Sequence, residues 1–338
     1  MQAIKQAKIF SRPRVRLEEV LPLATPFSVE IDICSVCNLK CSYCFQADKD
    51  GKQASGVRFG MMGLPLFDKI LGDLKQFPEK IKKIRLFEFG EPLLHPDLPS
   101  MIRRIWDADV AEYVEITTNG VLLTPALGQQ LVAAGLSRLN ISINAVDEAK
   151  YRAVSGAKVD LRALVDNAAA FYRNKGDCHV YIKLSDDGTL TKAEEEEFYR
   201  LFGDSCDEIF IERLSPIWRD TDVNRSVAGG FGPYGQPLAY KTVCPLIFTR
   251  LVINHDGVAV ACCVDWSRQY VIGDVASEPV RAVWTGRKMR DLQLRHLRGE
   301  REDVPMCKGC NALMSCTIDN IDAHAAQLIE KFVEANGD

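Results

Sequence analysis

Short apolar segments alternate with amphipathic segments through most of the chain, and this alternation restricts the fold more than any other feature of the sequence. The apolar segments are rich in Ile, Val, Leu or Phe and are bounded by polar residues or Gly, which is typical of strands. The predicted strands are Val29–Ile33, Ile84–Phe89, Tyr113–Thr117, Arg138–Ile143, His179–Leu184 and Glu208–Glu212. Helices are predicted between them, near 64–77, 97–108, 124–134, 160–174 and 191–202.

Six strands that alternate with helices imply a parallel sheet with right-handed crossovers. A sheet of this size curls into a barrel or part-barrel, whose active site lies at the C-terminal ends of the strands. The predicted fold is therefore α/β, a partial (β/α)6 TIM-like barrel with a small C-terminal domain. A loop or linker rich in Gly and Pro is predicted at 215–243. The predicted domains are an N-terminal arm at 1–26, a barrel core at 27–225, the C-terminal domain at 226–320 and a C-terminal helix at 321–338.

Cysteines are numerous and clustered: the chain has 12 in 338 residues, with one group at Cys34–Cys44 and another at 244–316. A net charge of −4 gives no reason to expect nucleic acid or an anionic membrane as a partner. The sequence shows neither an apolar run of about 20 residues nor a secretory signal, so we predict a cytoplasmic protein. In a reducing compartment, clustered cysteines are metal ligands more often than disulfides.

The first cysteine set has the spacing C-x3-C-x2-C, formed by Cys37, Cys41 and Cys44 directly after the first predicted strand. Three thiolates from one tight loop can converge on a single [4Fe–4S] cubane and leave its fourth iron without a protein ligand. An open iron suits a cluster that activates a substrate. The alternative is a zinc knuckle with Cys34 as the fourth thiolate, but zinc sites usually pair two C-x2-C units.

This spacing resembles the signature of the radical S-adenosylmethionine superfamily. The superfamily's Gly-Gly-Glu-Pro segment corresponds here to Phe89-Gly90-Glu91-Pro92, at the end of the second predicted strand. The resemblance implies that Tyr43, before the last cysteine, lies against the adenine of S-adenosylmethionine. It also implies that Gly90 and Glu91 hold the methionyl amino group.

Two further strand ends match the superfamily. The Thr-Asn-Gly segment that ends at Gly120 places Asn119 among the cofactor-binding residues, although Asn-Gly is also a common turn. Ser142 and Asn144 stand where the superfamily usually carries Ser-x-Asp. The resemblance implies that Ser142 touches the ribose or the carboxylate of S-adenosylmethionine, and that Asn144 takes the place of the Asp.

A second cysteine set follows the barrel segment. A β-hairpin is predicted at 249–261, around the Asp256-Gly257 turn, and it would bring the two flanking cysteines together. Two more cysteines, spaced C-x2-C, follow an amphipathic helix predicted at about 280–297. The set consists of Cys244, Cys262, Cys307 and Cys310. Four thiolates suit either zinc or a closed iron–sulfur cluster, and the spacing leaves both open.

This second set resembles the SPASM domains and the shortened "twitch" domains that follow radical S-adenosylmethionine barrels. Ile272-Gly273-Asp274-Val275 matches their intervening sequence, but Asn320 stands where a full SPASM domain has its next cysteine. The resemblance therefore implies one auxiliary [4Fe–4S] cluster on the four cysteines. Cys316 is either a replacement ligand or a buried thiol, and Cys263 is predicted to be structural.

The resemblance implies that reductive cleavage of S-adenosylmethionine yields a 5′-deoxyadenosyl radical, which removes a hydrogen from the substrate. A flavodoxin or ferredoxin is the expected electron donor. A closed auxiliary cluster suggests an electron acceptor, and hence a two-electron oxidation. Among superfamily members the shortened cysteine set resembles twitch-type aminocyclitol dehydrogenases and sugar-modifying enzymes. We therefore expect a secondary alcohol on a carbohydrate- or aminocyclitol-like small molecule as the substrate.

Three alternatives remain open. The chain could be a peptide- or protein-modifying maturase, although the segment before Cys37 is too short for a separate leader-binding domain. It could be a radical epimerase that uses a spare thiol. A zinc-bearing binding module would require Gly90-Glu91-Pro92 and the cysteine triplet to coincide by chance. Candidate substrate contacts at the strand ends are Glu88, Lys183, Glu212 and Arg213.

Overall fold

The computed structural model describes residues 2–11, 13–215, 217–218 and 231–334, and its centre is one sheet of ten strands. The strands are β1 (Ile4–Lys5), β2 (Ser28–Ile31), β3 (Lys83–Arg85), β4 (Val114–Thr118), β5 (Arg138–Ile143), β6 (His179–Asp186), β7 (Glu208–Arg213), β8 (Arg250–Ile253), β9 (Val258–Val260) and β10 (Val271–Asp274). Their order across the sheet is β1-β7-β6-β5-β4-β3-β2-β8-β9-β10. Neighbours from β1 to β8 are parallel, and β9 is antiparallel to β8 and β10.

Helices cover one face of this sheet and flank its ends. They are α1 (Leu17–Val20), α2 (Lys49–Ser55), α3 (Leu64–Leu74), α4 (Leu98–Ala108), α5 (Pro125–Ala133), α6 (Glu148–Ser155), α7 (Leu161–Arg173), α8 (Lys192–Phe202), α9 (Val280–Trp284), α10 (Arg287–Leu297), α11 (Ala312–Ser315) and α12 (Ala325–Glu334). Of the described helices, none is long and apolar enough to cross a membrane.

The two faces of the central strands differ in polarity. In β5, Leu139, Ile141 and Ile143 are fully buried in the apolar core, whereas Arg138 and Asn140 occupy the alternate positions. Because side chains alternate along a strand, the apolar face packs under the helices and the polar face lines the barrel interior, here called the lumen. The polar residues of the lumen include Glu30, Arg85, Glu115, Arg138, Asn140, Tyr181, Lys183, Glu208, Glu212 and Arg250.

The predicted part-barrel is confirmed: β2 to β7 are parallel and alternate with helices. The second strand was predicted too long, because β3 ends at Arg85 and not at Phe89. The backbone amide of Leu86 still bonds the Glu115 carbonyl at 3.0 Å, but that of Phe89 bonds Oδ1 of Asp32 at 3.1 Å. The Asp32 side chain, and not a neighbouring strand, accepts the hydrogen bond from the Phe89 amide, so β3 ends before Phe89.

Helix α6 was not predicted, although its ends carry ordinary helix signals. Asp147 caps its first turn by accepting from the backbone N–H of Lys150, and Gly156 ends it in the left-handed region with φ of 67°. The sequence pattern predicts one helix between β5 and β6, whereas the structure has two, α6 and α7.

The N-terminal arm adds a strand to the sheet, since β1 pairs with β7 in parallel. Beyond β1, Lys8 reaches into the lumen, where its Nζ lies 2.9 Å from a carboxylate oxygen of Glu115. The arm therefore adds both a strand to the sheet and a charged group to the lumen, which is more than the predicted segment lying on the domain.

The predicted hairpin of the C-terminal region is confirmed as β8 and β9, with Gly257 at φ of 94° in the turn. The unexpected feature is that β8 also pairs in parallel with β2, over the register from Ser28↔Arg250 to Ile31↔Ile253. The helix predicted at about 280–297 is two helices, α9 and α10, separated by Thr285 and Gly286.

The domain boundaries stay a prediction. The boundary between residues 225 and 226, part of the loop at 215–243 and the last four residues of the C-terminal helix lie outside the described residues. Within the described part, α12 occupies most of the segment assigned to that helix.

A buried ion pair in the lumen allows a test of the fold. Arg138 and Glu208 lie 2.8 Å apart with side chains 5% and 7% exposed. Glu208→Ala leaves the guanidinium uncompensated and should lower the free energy of unfolding by about 3–5 kcal/mol, measured by urea denaturation. The exposed Glu196 on α8 supplies the control, and Glu196→Ala should change stability by less than about 0.5 kcal/mol. A loss below about 1 kcal/mol for Glu208→Ala would mean that this pair behaves like a surface ion pair.

Candidate active site

The loop that carries the first cysteine set is held by the end of α6. The backbone amides of Lys40 and Ser42 donate to the carbonyls of Ser155 and Val154, both at 2.8 Å. Gly156 lies against Lys40, where an added Cβ would come within 3.2 Å of the Lys40 carbonyl. Helix α6 was missed in the sequence, and it shapes the loop in which the three thiols converge.

The thiols of Cys37, Cys41 and Cys44 are close enough to influence one another. Burial raises the pKa of Cys44 to about 12, and the nearby charges of Cys41 and Cys37 add to this rise. Burial raises the pKa of Cys41 to about 11, to which Cys37 contributes. Such thiols must lose their protons when they bind metal. The structure thus brings the three predicted ligands together from one loop.

Glu91 lies beneath this loop and is 2% exposed. One of its oxygens accepts from the backbone of Leu93 at 3.0 Å and from Thr118 Oγ1 at 2.6 Å, and the other accepts from the backbone of Asn119 at 2.8 Å. Burial raises the pKa of Glu91 to about 7 against these hydrogen bonds. No Lys or Arg among the described residues pairs with this carboxylate, so the site suits a cationic ligand.

Gly90 allows the segment that follows β3 to approach the cysteine loop. The backbone amide of Glu91 donates to the Val36 carbonyl at 2.9 Å. An added Cβ on Gly90 would lie 2.3 Å from that carbonyl oxygen and 2.4 Å from the Cys34 carbonyl oxygen. Only Gly fits this contact, which gives a physical reason for the glycine that the sequence motif contains.

Tyr43 and Asn144 meet above the ends of β5 and β6. The Tyr43 hydroxyl donates to Oδ1 of Asn144, and Nδ2 of Asn144 donates to Sγ of Cys41 at 3.3 Å. Tyr43 also lines a small cavity with Ala145, Val146, Ser185 and Leu190.

The remaining two predicted cofactor contacts are also near the strand ends. Asn119 bonds Asn38 Oδ1 at 2.8 Å through its side-chain amide, which joins it to the cysteine loop. Ser142 is half-buried and lies in register with Lys183 of the neighbouring strand. The structure therefore gathers all six predicted cofactor-binding residues around the strand C-terminal ends.

The second cysteine set gathers beside β8. Burial raises the pKa of Cys244 to about 12, and the charges of Cys310 and Cys263 add to it. Cys307 lies close to Cys244 and Cys310, whose charges raise its pKa further after burial. Cys262 follows the end of β9 and lies close enough to Cys244 and Cys310 for their charges to affect its pKa. The four predicted thiols thus lie together.

His296 lies beside this second set, although the sequence analysis does not include it among the candidate site residues. It is fully buried on α10; Nδ1 accepts from the backbone amide of Cys244, and Nε2 lies 3.3 Å from Sγ of Cys307. Burial lowers the pKa of His296 to about 4, so the ring is neutral near pH 7. Its Nε2–H therefore faces the sulfur. No spacing signal marks such a contact, because it forms between distant segments.

Cys263 and Cys316 lie on the lumen side of this set. Sγ of Cys263, which the sequence predicts to be structural, lies 3.5 Å from Nη1 of Arg250, a residue of the lumen. Burial raises the pKa of Cys316 to about 11, and the charges of Cys263, Cys310 and Glu212 contribute. Both thiols therefore lie near charged side chains of the barrel interior.

An aromatic cluster separates the two cysteine sets. Phe45 follows Cys44 directly, stacks on Trp266 at 4.8 Å between ring centroids, and meets Phe89 edge-on at 6.0 Å. Cys44 and Cys263 both pack against this cluster. The apolar contact fixes the position of the first loop relative to the second set.

The candidate substrate contacts are only partly confirmed as lumen residues. Lys183 Nζ lies 2.6 Å from Glu212 Oε2, and the Tyr181 hydroxyl donates to Glu212 Oε1 at 2.8 Å. Glu88 lies near Glu30 and Cys263 at the other wall. Arg213 was a wrong choice: it is the last residue of β7, follows Glu212 onto the opposite face, and is exposed.

Two regions of the chain match known protein families. Residues 31–187 match the model of the radical SAM superfamily, and residues 244–311 match SPASM, an iron–sulfur cluster-binding domain. The chain belongs to the radical SAM superfamily. It is a radical SAM enzyme with a SPASM domain, which confirms the resemblance drawn from the cysteine spacing and from Gly90-Glu91-Pro92.

One group of similar proteins consists of GTP 3′,8-cyclases. A GTP 3′,8-cyclase of Xanthomonas axonopodis pv. citri (strain 306) is 31% identical over 175 residues, which is 49% of this chain and 50% of the cyclase. The chain thus spans about half the length of that relative, or less for others.

Solved structures extend the similarity over most of the chain. BtrN in complex with AdoMet and 2-DOIA gives a TM-score of 0.55 at 18% identity, over 87% of this chain and 96% of BtrN. SuiB from Streptococcus suis, bound to precursor peptide SuiA, gives 0.60 at 15% identity, over 81% of this chain and 67% of SuiB. At these identities the two structures support the fold alone.

A radical SAM domain binds S-adenosylmethionine and a [4Fe–4S] cluster, and a SPASM domain binds auxiliary iron–sulfur clusters. The donor groups fit these cofactors. Three thiols converge from one loop, and four further thiols gather beside β8. The buried Glu91 carboxylate has no cationic partner in the part of the chain that the structure describes. The family matches therefore favour iron–sulfur clusters, and not the zinc-bearing binding module that was considered as an alternative.

The close approach at Gly90 generates a prediction about cluster assembly. Gly90→Ala would push two backbone carbonyls out of place and distort the loop that leads to Cys37. We expect the anaerobically reconstituted variant to lose about four iron per chain, the content of one cubane, and to keep its SPASM iron. Gly72→Ala on α3 is the control, because its Cβ would meet no atom within 4 Å. Full iron content in Gly90→Ala, measured by metal analysis, would contradict this role.

Proposed function

We propose that Cys37, Cys41 and Cys44 bind the [4Fe–4S] cluster that holds S-adenosylmethionine. The support is the convergence of three thiols from one loop, which leaves one iron open for a non-protein ligand. The residues proposed to bind S-adenosylmethionine are Tyr43, Gly90, Glu91, Asn119, Ser142 and Asn144. Among these, Glu91 has the strongest support, since no cationic side chain of the described residues pairs with its carboxylate and the methionyl ammonium would provide a partner.

The second cysteine set is proposed to hold one auxiliary [4Fe–4S] cluster, with Cys244, Cys262, Cys307 and Cys310 as its ligands. Four thiolates leave no iron for substrate, which suits a group that only accepts an electron. The Nε2–H of His296 would stabilise the negative charge on the Cys307 sulfur. Hydrogen bonds to the sulfurs are one of the means by which proteins set cluster potentials.

The proposed reaction is the two-electron oxidation of a secondary alcohol on a carbohydrate- or aminocyclitol-like small molecule. One observation carries this proposal: the lumen that borders both cysteine sets is lined by paired charges on both walls. These groups have more donor and acceptor positions than the ion pairs use, and an apolar substrate would leave the remaining positions without hydrogen-bond partners when water is expelled. A molecule rich in hydroxyl or amino groups would hydrogen-bond to them.

The chain's own groups bind and orient this substrate. Lys183 and Glu212 offer a donor and an acceptor on one wall, and Arg85 and Arg250 offer donors on the other. Bound S-adenosylmethionine supplies the 5′-deoxyadenosyl radical that removes a hydrogen atom from the alcohol carbon. The aromatic cluster around Phe45 excludes water from the region between the two cysteine sets.

The proposed partners are the small-molecule substrate and an electron donor such as flavodoxin or ferredoxin, and the proposed location is the cytoplasm. No nucleic acid or membrane is proposed as a partner, in keeping with a net charge of −4.

The cluster assignments predict the metal content. Anaerobically reconstituted protein should contain about eight iron and eight sulfide, the sum of two cubanes. The triple variant Cys37→Ala/Cys41→Ala/Cys44→Ala should keep about four iron and should no longer cleave S-adenosylmethionine. The matched control is Cys178→Ala, a buried thiol outside both sets, which should keep all its iron. Wild-type protein with one zinc and about four iron would contradict the auxiliary cluster.

The reaction type is tested by product mass in deuterated water, after incubation with a panel of sugars, aminocyclitols and peptides. Oxidation should give a product two hydrogens lighter than its substrate, with no new carbon-bound deuterium. An isomeric product that is one mass unit heavier, because it carries one carbon-bound deuterium, would establish epimerisation instead. A spare thiol such as Cys263 would then be tested as the hydrogen donor. A modified peptide, with the sugars and aminocyclitols unchanged, would establish a peptide maturase.

A further inference from the structure

Glu88 is a carboxylate in the lumen that the proposed cofactor sites do not use. It lies three residues beyond the end of β3 and three residues before Glu91. Its Oε2 is buried and has no hydrogen-bond partner among the described residues. The described ion pairs do not include it either.

The neighbours of Glu88 place it next to the second cysteine set. One carboxylate oxygen of Glu88, one of Glu30 and Sγ of Cys263 all lie within 4.8 Å of one another. Cys263 is adjacent in sequence to Cys262, a proposed cluster ligand. Glu88 is therefore close in sequence to Gly90 and Glu91 of the proposed S-adenosylmethionine site, and close in space to Cys263, the neighbour of a proposed cluster ligand.

The nearby guanidinium groups are already paired with other residues. Arg85 bonds Glu30 and lies 3.0 Å from Glu115, while Arg250 lies 3.1 Å from Glu30 and 3.5 Å from Cys263. Burial raises the pKa of Glu88 well above its ordinary value, and the charges of Glu30 and Cys263 raise it further. An unpaired carboxyl group here costs stability, and this cost needs a functional reason.

Three unpartnered atoms define the chemistry that would satisfy this site. Oε2 of Glu30 and Oε2 of Glu88 are buried acceptors without donors, and Nε of Arg250 is a buried donor without an acceptor. A metal ion does not suit it, because two guanidinium groups already neutralise Glu30. A ligand with neighbouring hydroxyl groups donates two hydrogen bonds and accepts one, which matches the three atoms.

We propose that Glu88 binds the reacting hydroxyl group of the substrate and accepts its proton during oxidation. This inference rests on the proposed function. Glu88 in its ionised form takes the hydroxyl proton, and its raised pKa makes that form a stronger base than an ordinary carboxylate. The C–H hydrogen atom leaves to form 5′-deoxyadenosine, and the remaining electron would go to the auxiliary iron–sulfur cluster. The carbon–oxygen single bond thereby becomes a carbonyl, and atoms and electrons balance. Glu30 and Arg250 hold a neighbouring hydroxyl group.

The first test measures the melting temperature of the cluster-loaded enzyme and needs no substrate. Glu88→Gln removes an uncompensated carboxyl group and should raise the melting temperature by about 2–4 °C. Glu196→Gln, an exposed change on α8, should leave it unchanged. A structural role for Glu88 would instead lower the melting temperature of Glu88→Gln, and this result would overturn the proposal whatever the reaction is.

The second test follows turnover with myo-inositol, scyllo-inositol and glucosamine as probes. In Glu88→Gln, ketone formation should fall about a hundredfold while hydrogen-atom removal continues. The ratio of 5′-deoxyadenosine to ketone should then rise at least about tenfold, and Glu88→Asp, which keeps the carboxylate, should recover part of the ketone. Iron content should match wild type in both variants.

The outcomes separate the two proposals. An unchanged ratio of 5′-deoxyadenosine to ketone in Glu88→Gln would overturn the role of Glu88 and leave the oxidation standing. If wild-type enzyme oxidises none of the three probes, the proposed substrate class is wrong. The melting temperature of Glu88→Gln is then the remaining test of the role of Glu88. A rise would then support a group held for ligand binding, and a fall would overturn it.

Discussion

The parallel pairing of β8 with β2 is the contact on which the rest of the structure depends. It joins the SPASM hairpin to the barrel sheet, so that Arg250 enters the lumen beside Glu30. The same pairing brings Cys262 and Cys263, which follow β9, to the edge of the lumen. Backbone hydrogen bonds between strands have fixed spacing, so the second cysteine set is held rigidly with respect to the strand that leads into the first. A flexible tether between two domains would not hold them at a fixed separation.

The charged lumen is the second consequence of this arrangement. Glu30 is fully buried and lies between Arg85 and Arg250, which come from β3 and β8, so the barrel and the SPASM hairpin share one ion-pair network. Buried ion pairs add little net stability compared with apolar packing. Their presence across the domain junction is better explained by a polar ligand than by the needs of folding. The unpaired atoms of Glu88 and Arg250 mark where that network is incomplete.

Contacts between distant segments were beyond sequence reasoning, even where the residues themselves were ordinary. His296 reaches Cys307 and the backbone of Cys244 because α10 packs over the second cysteine set. Helix α6 supports the first cysteine loop through the carbonyls of Val154 and Ser155. The capping residues Asp147 and Gly156 are recognisable in the sequence, but the contact between this helix and the first cysteine loop is not. Arg213 was misassigned because a one-residue step along a strand reverses the side-chain direction.

The sequence by itself determined the alternating strands and helices, the three converging thiols and the second set of four. These features follow from local rules: side-chain periodicity, turn residues and ligand spacing within a short loop. Only the tertiary structure decided that β8 pairs with β2, that Cys263 faces Arg250 and that Oε2 of Glu88 has no hydrogen-bond partner within the described part of the chain. The physical reason is that hydrogen bonds and charge interactions act over a few ångströms, between residues whose separation in the chain carries no sign of their contact.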